Sequence, residues 1–557
     1  MDNAHIADQF SLLSKLMDIH GENSFKSKSY SSAAFAIEKL PVPLSEMPPE
    51  KIAGIKGIGS STVEKILEIL KNGHLAALEE IILSTPPGVI EMLRIKGIGP
   101  KKIHSIWKEM EIESVGELLY ACKENRLKLY KGFGEKTQQN VIEFIEFYLK
   151  NKDSHLYADA EIFLPQIQQF LETLYPGSVI SLTGNVKRQL PVVDALEFVI
   201  DLPIADLKKE LKKIDNIQIE SETAEQLVIS TALGIHVKLY SAGADRYYPL
   251  LLKTSSSQAF YEALPPVPLS LDSEESYFKS IHLPFIAAPY RENPSLVSKL
   301  KENPGYLQNV IQLNDIKGII HCHSNWSDGS NSIDELANAC IHLGLEYLVM
   351  SDHSKSAFYA NGLSEDRVKE QHRYIDELNK KWAPFKIFKS IECDILYDGR
   401  LDYPDVVLET FDLVIASVHS NLKMTEEKAM TRLLQAISNP YTTVLGHMTG
   451  RLLLSRAGYP LNHKMIIDAC AENNVVIELN ANPHRLDIDW EHIEYALEQG
   501  VMISIDPDAH NIAGLQDIQY GVLVAQKAIV KPHQNLSSFS LPDLEEFIQK
   551  RKGKKPI

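Results

Sequence analysis

The sequence predicts a multidomain protein that joins an all-α region to α+β and α/β regions. Three observations predict this. The first 150 residues show the three-and-four spacing of apolar residues that is typical of helices, as in "ADQFSLLSKLMDIH". Residues 151 to about 310 mix strand-like and helical stretches, and from about 315 seven short apolar runs alternate with helical segments. A length of 557 residues is sufficient for several such domains.

The composition excludes several classes of protein. No apolar run approaches the roughly 18 residues that a membrane helix requires, and the N-terminus lacks the basic and apolar regions of a signal peptide. The five cysteines are scattered and form no CxxC pair, which favours a reducing compartment over a disulfide framework. We therefore expect a cytoplasmic protein that has no membrane partner.

The net charge of −17 is unevenly distributed. Residues 1–150 carry 19 Lys and Arg residues against 20 Asp and Glu residues, so most of the acidic excess lies in residues 151–557. A nearly neutral segment with clustered lysines can bind phosphate groups, whereas an acidic segment suits the binding of metal cations. The charge therefore does not exclude nucleic acid as a partner of the N-terminal region.

The N-terminal region contains an internal repeat. "IKGIGSSTVEKI" (55–66) and "IKGIGPKKIHSI" (95–106) are near copies, and "YKGFGEKTQQNVI" (130–142) is a weaker third copy. In each copy two glycines allow a tight turn and a close approach of backbone to a ligand, and the helix that follows presents N–H groups suited to a phosphate. This pattern resembles the helix-hairpin-helix, a sequence-independent binder of the DNA backbone, and plain turns in a helical bundle are the alternative. The glycines that would contact DNA are Gly57, Gly59, Gly97, Gly99, Gly132 and Gly134.

Residues 151–310 predict a small α+β domain. "SVISLTGNVKR", "ALEFVIDLP", "QLVISTA" and "GIHVKLYSA" are rich in Val, Ile and Leu and are separated by turn residues, which is typical of strands. Helical stretches such as "LPQIQQFLETLY" and "ADLKKELKKI" lie between them. We expect an antiparallel sheet and, over residues 262–310, a loop-rich connection, because that stretch begins with many Pro and Ser residues.

The seven apolar runs after residue 315 predict a parallel barrel. They are "IKGIIHCHS", "YLVMSDHS", "FKSIECDIL", "LVIASVHS", "YTTVLGHMTG", "NVVIELNAN" and "VMISIDPDAH". Strands that alternate with helices are typical of βα units around a parallel sheet, and in such barrels the functional side chains lie at the carboxyl ends of the strands. We therefore predict a distorted (βα)7 barrel with its site at that end.

Six of the seven runs end in side chains that bind metals. These side chains are His321, His323, Asp328, His353, Glu392, His419, His447, Asp508 and His510. The remaining run, "NVVIELNAN", and the residues that follow it offer Glu478, Asn480, His484 and Arg485. A lone histidine at such a position is more often a hydrogen-bonded core residue. Nine polar side chains buried together without compensation would each be strongly unfavourable. Imidazole and carboxylate ligands suit Zn²⁺, Mn²⁺ or Fe²⁺, and nine are too many for one ion, so the sequence predicts a multinuclear metal site.

From "HCHSNWSDG" to "DPDAH" the chain resembles the PHP (polymerase and histidinol phosphatase) family of metal-dependent phosphoesterases. The resemblance implies three divalent ions, Zn, Mn or Fe, and a bridging hydroxide that attacks phosphorus. The implied ligands are His321, His323, Glu392 and Asp508 for the first ion, Glu392, His419 and His447 for the second, and Asp328, His353 and His510 for the third.

Two arginines near this set could hold a phosphate. The guanidinium groups of Arg451 and Arg485 suit a phosphate by their chemistry, although no family motif contains them. Both arginines could equally form structural salt bridges.

The whole chain resembles the bacterial family X DNA polymerases that carry a C-terminal PHP domain. "NSFKSKSYSSAAFAIEKL" is similar to the N-terminal helix signature of that family, and "LKTSSSQAFYEAL" is similar to its thumb segment. In this family the PHP domain trims 3′ ends of DNA, and some members also cut abasic sites. The implied domains are a helical domain with a helix-hairpin-helix (1–85), a fingers-like domain with a second one (86–150), a nucleotidyltransferase palm (151–245), a thumb (246–312) and the PHP domain (313–557).

The palm departs from the pattern of that family. Nucleotidyl transfer there uses three carboxylates that hold two Mg²⁺ ions, two from a Gly-Asp-x-Asp strand and one from a neighbouring strand. Here Asp194 is present, Leu196 occupies the second position and Lys238 the third. Glu197 follows, but strand alternation is expected to place it on the opposite face. We therefore expect no Mg²⁺ at the palm and no polymerase activity, the alternative being a different strand alignment in which Glu197 or Asp201 substitutes.

Two further positions differ from the family. Gly184 and Asn185 stand where a nucleotide-binding Gly-Ser is usual. In the helix after the first hairpin, Ala77 stands where eukaryotic relatives place the lysine that forms a Schiff base with abasic DNA, so we expect no lyase activity.

The sequence therefore predicts a DNA-repair protein that acts as a metal-dependent 3′–5′ exonuclease through its PHP domain, with abasic-site cleavage as a further activity seen in the family. We expect it to be a monomer that works on single-stranded or gapped DNA at the bacterial nucleoid. The alternatives are an active gap-filling polymerase with exonuclease, a small-molecule phosphatase of the histidinol-phosphate type, and a non-catalytic DNA-binding scaffold.

Overall fold

The computed structural model describes residues 2–40, 42–55, 58–123, 126–151, 154–214, 217–231 and 234–553. They form two compact units, 1–152 and 153–557. Gly57, one of the glycines predicted to contact DNA, lies outside the described residues. Among the helices that the structure describes, none is both long enough and apolar enough to cross a membrane.

The first unit is helical. Its helices are α1 (Asn3–His20), α2 (Ser24–Glu38), α3 (Pro49–Ile52), α4 (Ser60–Asn72), α5 (Ala76–Leu83), α6 (Pro87–Glu91), α7 (Pro100–Lys108), α8 (Val115–Lys123) and α9 (Glu135–Asn151). The Asp2 side chain accepts from the His5 N–H and begins α1, and Gly21, at φ +73°, ends it. Apolar residues at helical spacing, among them Phe10, Ile66 and Ile103, form one buried core.

The second unit begins with the predicted α+β domain. Its elements are β1 (His155–Leu156), α10 (Tyr157–Leu174), β2 (Ile180–Thr183), α11 (Gly184–Lys187), β3 (Val192–Val193), β4 (Ala195–Ile200), α12 (Ile204–Leu211), β5 (Gln218–Glu222), β6 (Gln226–Ser230) and β7 (His236–Ser241). Five of these strands form a sheet in the order β2-β4-β7-β6-β5.

The sheet is mixed and not antiparallel throughout, which corrects the sequence-based expectation. β4 and β7 are parallel, while the other neighbouring pairs are antiparallel. The reason is the connection, because α12 and the β5–β6 pair lie between β4 and β7 and return the chain to the end at which β4 began. β5 also escaped the prediction, since its polar sequence "QIESE" lacks an apolar run.

Residues 247–263 form two helices, α13 (Tyr247–Thr254) and α14 (Gln258–Ala263). The stretch expected to be loop-rich, residues 262–310, contains the short helices α15 (Glu274–Ser280) and α16 (Ser295–Glu302), but most of its residues lie in turns and loops, so this expectation is confirmed. Aromatic side chains such as Phe260, Tyr277 and Phe278 give this region its own buried core. The prolines of residues 262–310 lie outside α15 and α16, whereas Pro249 lies in the first turn of α13, where it interrupts no helical hydrogen bond.

The C-terminal region is the predicted parallel barrel. Its elements are β8 (Gly318–Ile319), α17 (Ile333–His342), β9 (Tyr347–Met350), α18 (Glu365–Trp382), β10 (Lys386–Asp394), α19 (Asp405–Leu408), β11 (Leu413–Ser417), α20 (Glu426–Ile437), β12 (Val444–Leu445), α21 (His463–Asn473), β13 (Val476–Asn480), α22 (Trp490–Glu498), β14 (Ile503–Asp506), α23 (Ile518–Lys527) and α24 (Leu541–Lys552). Each of the seven predicted runs contains one strand, so this prediction is confirmed.

The seven strands pair in sequence order, and every pair is parallel. β9, β11, β13 and β14 are buried at every position because helices cover the outer face, which explains their uninterrupted apolar sequences. A parallel bridge between Cys322 and Ala509, with the His323 N–H donating to the Ala509 carbonyl across 2.8 Å, links the two edge strands. The sheet is therefore a nearly closed barrel whose strand ends converge on one opening.

Polar contacts join the α+β domain to the outer helices of the barrel. The buried ammonium of Lys527 in α23 lies 3.6 Å from Glu292 Oε1 and donates to the carbonyl groups of Arg188 and Pro289. The Tyr520 hydroxyl donates to Glu161 in α10 across 2.6 Å. These contacts hold the two domains of the second unit together.

Candidate metal centre and nucleic-acid surfaces

Glu392 lies at the centre of the barrel opening. It lies near the carboxyl end of the long strand β10, where its carboxylate is almost completely buried. Its Oε1 atom is 3.0 Å from the Nε2 atoms of both His419 and His447, and its Oε2 atom is 2.9 Å from His353 Nδ1. His321 and His323 approach it to 3.4 and 3.6 Å. Five predicted side chains from four other strand ends therefore surround one carboxylate.

Asp508 lies beside the same histidines. Its Oδ1 atom is 3.1 Å from His323 Nε2, 3.6 Å from His321 Nε2 and 3.8 Å from His510 Nδ1. Asp508 adopts a φ of +52°, a left-handed conformation that is unfavourable for a residue with a Cβ. Strain of this kind persists where the surrounding structure requires a particular side-chain direction.

Asp328 marks the more open side of the cluster. Its Oδ2 atom is 3.5 Å from the Nε2 atoms of both His353 and His510, and its Oδ1 atom is 3.9 Å from His323 Nδ1. The side chains of Asp328 and His510 remain 31% and 40% exposed, whereas His321 and His323 are fully buried. The cluster is therefore open to solvent on the side of Asp328.

The nine side chains that the sequence predicted at the strand ends all lie in this one opening. Within it, three groups bring their ligand atoms within 4.8 Å of one another: His323 with Asp328, His353 and His510; His321 with His323 and Asp508; and His353 with Glu392 and His419. His447 joins through its contact with Glu392. The grouping resembles the implied ligand sets, although His323 and His353 each belong to two groups.

Several buried nitrogen atoms in the cluster have no hydrogen-bond partner among the described residues. They include His321 Nε2, His323 Nδ1 and His447 Nδ1. Each such buried, unsatisfied polar atom costs roughly 1–3 kcal/mol. Imidazole nitrogens next to carboxylates form a donor set that suits divalent transition metals, so these residues fit the metal ions that the PHP resemblance implies.

The histidines of the cluster differ in the direction in which their surroundings shift their pKa. Burial lowers the pKa of His323 to about 3, assisted by His353 and His510, and burial together with Arg485 lowers the pKa of His447 to about 4. Against the lowering effect of burial, Glu392 raises the pKa of His353 to about 10.

The two central carboxylates are held in their ionised form. Burial acts in the opposite direction, but the neighbouring histidines keep the pKa of Glu392 and of Asp508 well below the ordinary range. Protons on histidine would compensate these carboxylates wherever no cation is bound. A divalent cation would replace those protons, which is the usual linkage between metal binding and proton release.

The sixth run, "NVVIELNAN", supports the cluster from one side. Glu478 and Asn480 are fully buried, and Glu478 Oε2 is 3.0 Å from His321 Nδ1. His484 is exposed and contacts none of the nine side chains through its ring in the described contacts. On the other side of the cluster, Asp394 Oδ1 lies 2.5 Å from His419 Nδ1, a contact that the sequence did not single out.

The two arginines differ. Arg451 binds Asp489 through Nη1 across 2.5 Å and the Arg485 carbonyl through Nε across 2.9 Å, so the geometry favours its structural alternative. Arg485 Nε lies 3.6 Å from Asp508 Oδ2, at the edge of the cluster. Arg485 is therefore the better placed of the two to contact a phosphate.

The palm contains a pocket of about 870 Å³ on the exposed face of the mixed sheet. Lys238 Nζ donates to Asp194 Oδ2 across 2.6 Å. Burial opposes the effect, but Lys238 holds the pKa of Asp194 below its ordinary value. Across the described residues, the palm contains no cluster of three acidic or histidine side chains that could hold a metal.

Glu197 lies on the same side as Asp194, so the expectation of opposite faces is wrong. The Asn185 side-chain amide donates to Asp194, and the Asn185 backbone N–H donates to Glu197, each across 3.2 Å. Glu197 is in register with Lys238 on β7, and Leu196 packs in the hydrophobic core. The expectation failed because Asp194 precedes β4 and does not follow its alternation.

Gly184 and Asn185 form the floor of this pocket. Gly184 has a φ of +66°, and a Cβ at this position would overlap the carboxyl group of Glu197. Arg188 Nη2 donates to Asn185 Oδ1 across 2.6 Å and orients the amide toward Asp194. The side chain of Asn185 therefore supports the Asp194 carboxylate and does not point into open solvent.

The second and third Gly-apolar-Gly segments form the same turn, and the described residues of the first copy, Ile58 and Gly59, occupy matching positions. The first glycine of the second and third copies, Gly97 and Gly132, has a φ of +94°. Gly59 and Gly99 are the N-caps of α4 and α7, and Gly134 directly precedes α9. A Cβ added at Gly59, Gly99 or Gly134 would meet nothing within 4 Å. In each copy an N–H to carbonyl bond closes the turn, Ile58 to Ile55 (3.1 Å), Ile98 to Ile95 (3.4 Å) and Phe133 to Tyr130 (3.1 Å).

Ala77 lines a pocket of about 330 Å³ in the first unit. Lys26, Tyr30, Lys65 and His20 line the same pocket. The family resemblance implies an amine at position 77, where this chain has alanine. The structure brings two lysines from other helices, Lys26 and Lys65, to the same cavity. Helical spacing places Lys26 and Lys65 on separate elements, so no local pattern could have grouped them.

Family models match three parts of the chain. A helix-hairpin-helix domain matches residues 1–75, a SAM-like helix-hairpin-helix tandem matches residues 89–146, and a PHP domain matches residues 320–482. Over 559 aligned residues the chain is 32% identical to the DNA polymerase/3′-5′ exonuclease PolX of Bacillus subtilis (strain 168), covering 96% of this chain and 97% of that protein.

Shorter relatives match the C-terminal region. A probable phosphatase of Acetivibrio thermocellus is 26% identical over 246 residues, which is 42% of this chain and 95% of that protein. A probable phosphatase of Caldanaerobacter subterraneus subsp. tengcongensis is 22% identical over 238 residues, which is 40% of this chain and 86% of that protein.

Proposed function

The chain belongs to the bacterial family X DNA polymerases that carry a C-terminal PHP domain, and from this premise we propose that it is a DNA-repair nuclease that removes nucleotides from 3′ ends of DNA. The observation that carries the proposal is the complete donor set around Glu392, in which all nine predicted side chains lie at one barrel opening. The name of the Bacillus subtilis relative includes the same 3′-5′ exonuclease activity.

We assign the metal ligands as the PHP resemblance implies. The nine side chains would hold three divalent ions, and Glu392, which contacts histidines from four other strand ends, would be shared between two of them. Bound divalent ions supply an activated water and stabilise the negative charge that develops on the phosphate oxygens. Abasic-site cleavage, where it occurs, would use the same opening.

The protein's own side chains orient the reacting groups. Asp328 and His510 line the accessible side, through which a DNA end would enter. Arg485, at the edge next to Asp508, is placed to donate to a non-reacting phosphate oxygen. The complete burial of His321 and His323 keeps bulk water away from the deeper half of the site.

DNA is the substrate class that the rest of the chain supports. The helix-hairpin-helix models match the first unit, and the second glycine of each hairpin faces open space in front of a helix N-terminus. Backbone N–H groups at such positions suit phosphates, and contacts of this kind do not depend on the base sequence. We propose single-stranded 3′ ends and gapped duplexes as substrates, and a monomer as the active form.

A gap-filling polymerase is the second candidate, and one observation favours it. Glu197 reaches the palm pocket beside Asp194, so two carboxylates are present where the sequence suggested one. Two observations oppose it, since Lys238 neutralises Asp194 and Glu197 already accepts from the Tyr240 hydroxyl across 2.7 Å. We therefore place the polymerase below the nuclease.

The test is degradation of DNA with defined ends. A 5′-labelled single strand and a gapped duplex are incubated with the protein and Mn²⁺, Zn²⁺ or Mg²⁺, and histidinol phosphate is offered in parallel. The proposal predicts stepwise shortening from the 3′ end, strongest with Mn²⁺. Turnover of histidinol phosphate without loss of DNA would identify a small-molecule phosphatase, and fewer than two transition-metal ions bound per purified chain would favour a scaffold.

A further inference from the structure

The sixth barrel strand, β13, carries no predicted metal ligand, yet it buries two polar side chains in the barrel. Along the strand Ile477 and Leu479 pack in the hydrophobic core, and Glu478 and Asn480 alternate with them. Both polar side chains are fully buried. Burying a carboxylate and an amide is unfavourable unless their polar atoms form hydrogen bonds. The partners of Glu478 and Asn480 therefore indicate what the two side chains do in the barrel.

The contacts form a continuous chain between two predicted metal ligands. His321 Nδ1 is 3.0 Å from Glu478 Oε2, and Asn480 Nδ2 donates to Glu478 Oε1 across 2.6 Å. The same Asn480 Nδ2 donates to Asp508 Oδ2 across 3.1 Å. Glu478 and Asn480 thus connect the side chain that follows β8 with the side chain that follows β14.

We propose that Glu478 and Asn480 are positioning residues that hold His321 and Asp508 in the states needed to bind the same divalent ion. The proposal rests on the metal centre of the proposed function. It concerns two residues that are not themselves ligands and that no part of the nine-residue pattern includes.

The contact with Glu478 determines the tautomer of His321. Asn480 Nδ2 donates to Glu478 Oε1, which leaves Glu478 Oε2 as the oxygen that faces His321 Nδ1. In this arrangement His321 Nδ1 donates its proton to Oε2. The lone pair is left on Nε2, the atom that has no hydrogen bond among the described residues and lies 3.4 Å from Glu392 and 3.6 Å from Asp508.

The contact with Asn480 determines the direction of the Asp508 carboxylate. Asn480 occupies Oδ2, which leaves Oδ1 directed at His323 Nε2 and His321 Nε2. The left-handed backbone of Asp508 is a strained conformation that such a contact helps to maintain. Histidine ligands of metals commonly donate their second N–H to a carboxylate, and loss of that partner usually lowers metal affinity about 10- to 100-fold.

Glu478→Gln is the sharpest variant because it changes the tautomer and little else. Asn480 Nδ2 continues to donate and therefore selects the oxygen of the new amide. The NH2 group of the amide then faces His321 Nδ1, which must accept, and the proton moves to Nε2, where the metal lone pair was needed. We expect the affinity of one site for Co²⁺ to fall by about 10- to 100-fold.

A double variant tests the direction of the hydrogen bonds. In Glu478→Gln combined with Asn480→Asp, the carboxylate at position 480 accepts from the amide NH2, so the amide oxygen turns back to the His321 N–H. We expect part of the Co²⁺ affinity to return, limited by the contact of the new carboxylate with Asp508. A purely structural role predicts that the two losses add.

The experiment is a Co²⁺ titration of the full-length, chelator-treated protein, read by visible absorption and by metal content per chain. Asp487→Asn is the matched control, because Asp487 is equally buried but accepts from Thr449 and contacts no predicted ligand. The control should bind Co²⁺ as the wild type does. Circular dichroism verifies that each variant is folded, and Asn480→Ala, which removes the contacts to Glu478 and Asp508 together, replaces Glu478→Gln if the latter does not fold.

The possible outcomes separate the two proposals. Loss of one Co²⁺ site or a shifted Co²⁺ spectrum in Glu478→Gln, with partial recovery in the double variant, supports the positioning role. Unchanged affinity and spectrum in Glu478→Gln, or in Asn480→Ala, overturns it while leaving the metal centre intact. A wild-type protein that binds no Co²⁺ overturns the metal centre itself and the positioning role with it.

Discussion

The ammonium of Lys238 donates to the Asp194 carboxylate across 2.6 Å, so a carboxylate of the palm pocket is already paired with a cation of the protein. The family resemblance implies a metal-binding carboxylate at position 238, and the ion pair that Lys238 forms occupies one of the two carboxylates in the palm pocket. An ammonium 4 Å from a metal site is repelled by about 4 kcal/mol per unit charge at an effective dielectric of 20.

We expect no template-directed synthesis from this palm. The repulsion alone corresponds to roughly a thousandfold loss in rate, because each 1.36 kcal/mol in the barrier is about tenfold. The measurement is primer extension on a gapped duplex with Mg²⁺, in the His321→Ala, His323→Ala background so that trimming does not mask synthesis. Nucleotide addition that disappears on Asp194→Ala would show that the palm works, and Glu197→Gln would then test whether Glu197 supplies the second carboxylate.

The double variant His321→Ala, His323→Ala should abolish the exonuclease. These two side chains are fully buried beside Glu392 and Asp508 and belong to the same candidate ligand group. Removing both deprives that group of its nitrogen donors while the hairpins of the first unit remain. Release of nucleotides from a labelled 3′ end measures the activity, and DNA binding by anisotropy is the control that should stay constant. Undiminished digestion of DNA would disprove the site assignment.

The hairpin caps allow a test of DNA contact that leaves the fold intact. Gly59 and Gly99 have extended backbone angles that any residue can adopt, and the space in front of them is open. Gly99→Asp places a negative charge where a phosphate would lie, and repulsion of about 1 kcal/mol in water corresponds to about a fivefold loss of affinity.

The matched control is Gly99→Ser, which caps the helix equally well without a charge. Fluorescence anisotropy of a labelled duplex at fixed salt gives the affinity, and thermal denaturation of the full chain gives the stability. We expect the Asp variant to bind DNA less tightly than the Ser variant at equal thermal stability. Equal affinities would mean that this hairpin does not approach the DNA backbone.

Lys527 gives the stability of the second unit a dependence on alkaline pH. Burial lowers the pKa of Lys527 to about 8, only partly opposed by Glu292, whereas an unfolded lysine titrates near 10.4. Between these values the unfolded chain binds more protons at this position, so the free energy of unfolding rises with pH by up to about 1.4 kcal/mol per unit. Below about pH 8 both states are protonated and the contribution is constant.

Lys527→Met removes this dependence. The difference in free energy of unfolding between Lys527→Met and the wild type should fall as the pH rises from 8 toward 10, since all other groups are shared. Urea denaturation of both proteins at pH 7.5, 8.5 and 9.5 measures it. A difference that stays constant with pH would show that the ammonium of Lys527 is less desolvated than its contacts indicate.

We expect no Schiff-base lyase activity at position 77. Reaction with abasic DNA and borohydride should trap no covalent adduct on the first unit, because Ala77 offers no amine. Lys65 and Lys26 line the same pocket and are the amines to examine if an adduct does form. An adduct that vanishes in Lys65→Ala but persists in Lys26→Ala would assign the lyase to Lys65 and refute the prediction.

The amino-acid sequence by itself determined the parts of the protein that repeat a local pattern. The seven apolar runs each became one barrel strand, because a strand buried on both faces requires an uninterrupted apolar sequence. The second and third Gly-apolar-Gly segments became the same turn, because glycine adopts a φ of +94° without the strain that a Cβ would cause. The convergence of the nine side chains followed from their common place at strand ends of one barrel.

Tertiary structure decided whatever depends on contacts between distant segments. Asp194 and Glu197 both reach the palm pocket, although strand alternation would place them on opposite faces, because Asp194 lies before the first residue of β4. The sequence alone did not show where β4 begins. The parallel pairing of β4 with β7 depends on how the intervening elements return the chain. Glu478 supports His321 across 157 positions of sequence, since a hydrogen bond between two buried side chains is specified by their meeting in space and leaves no periodic trace along the chain.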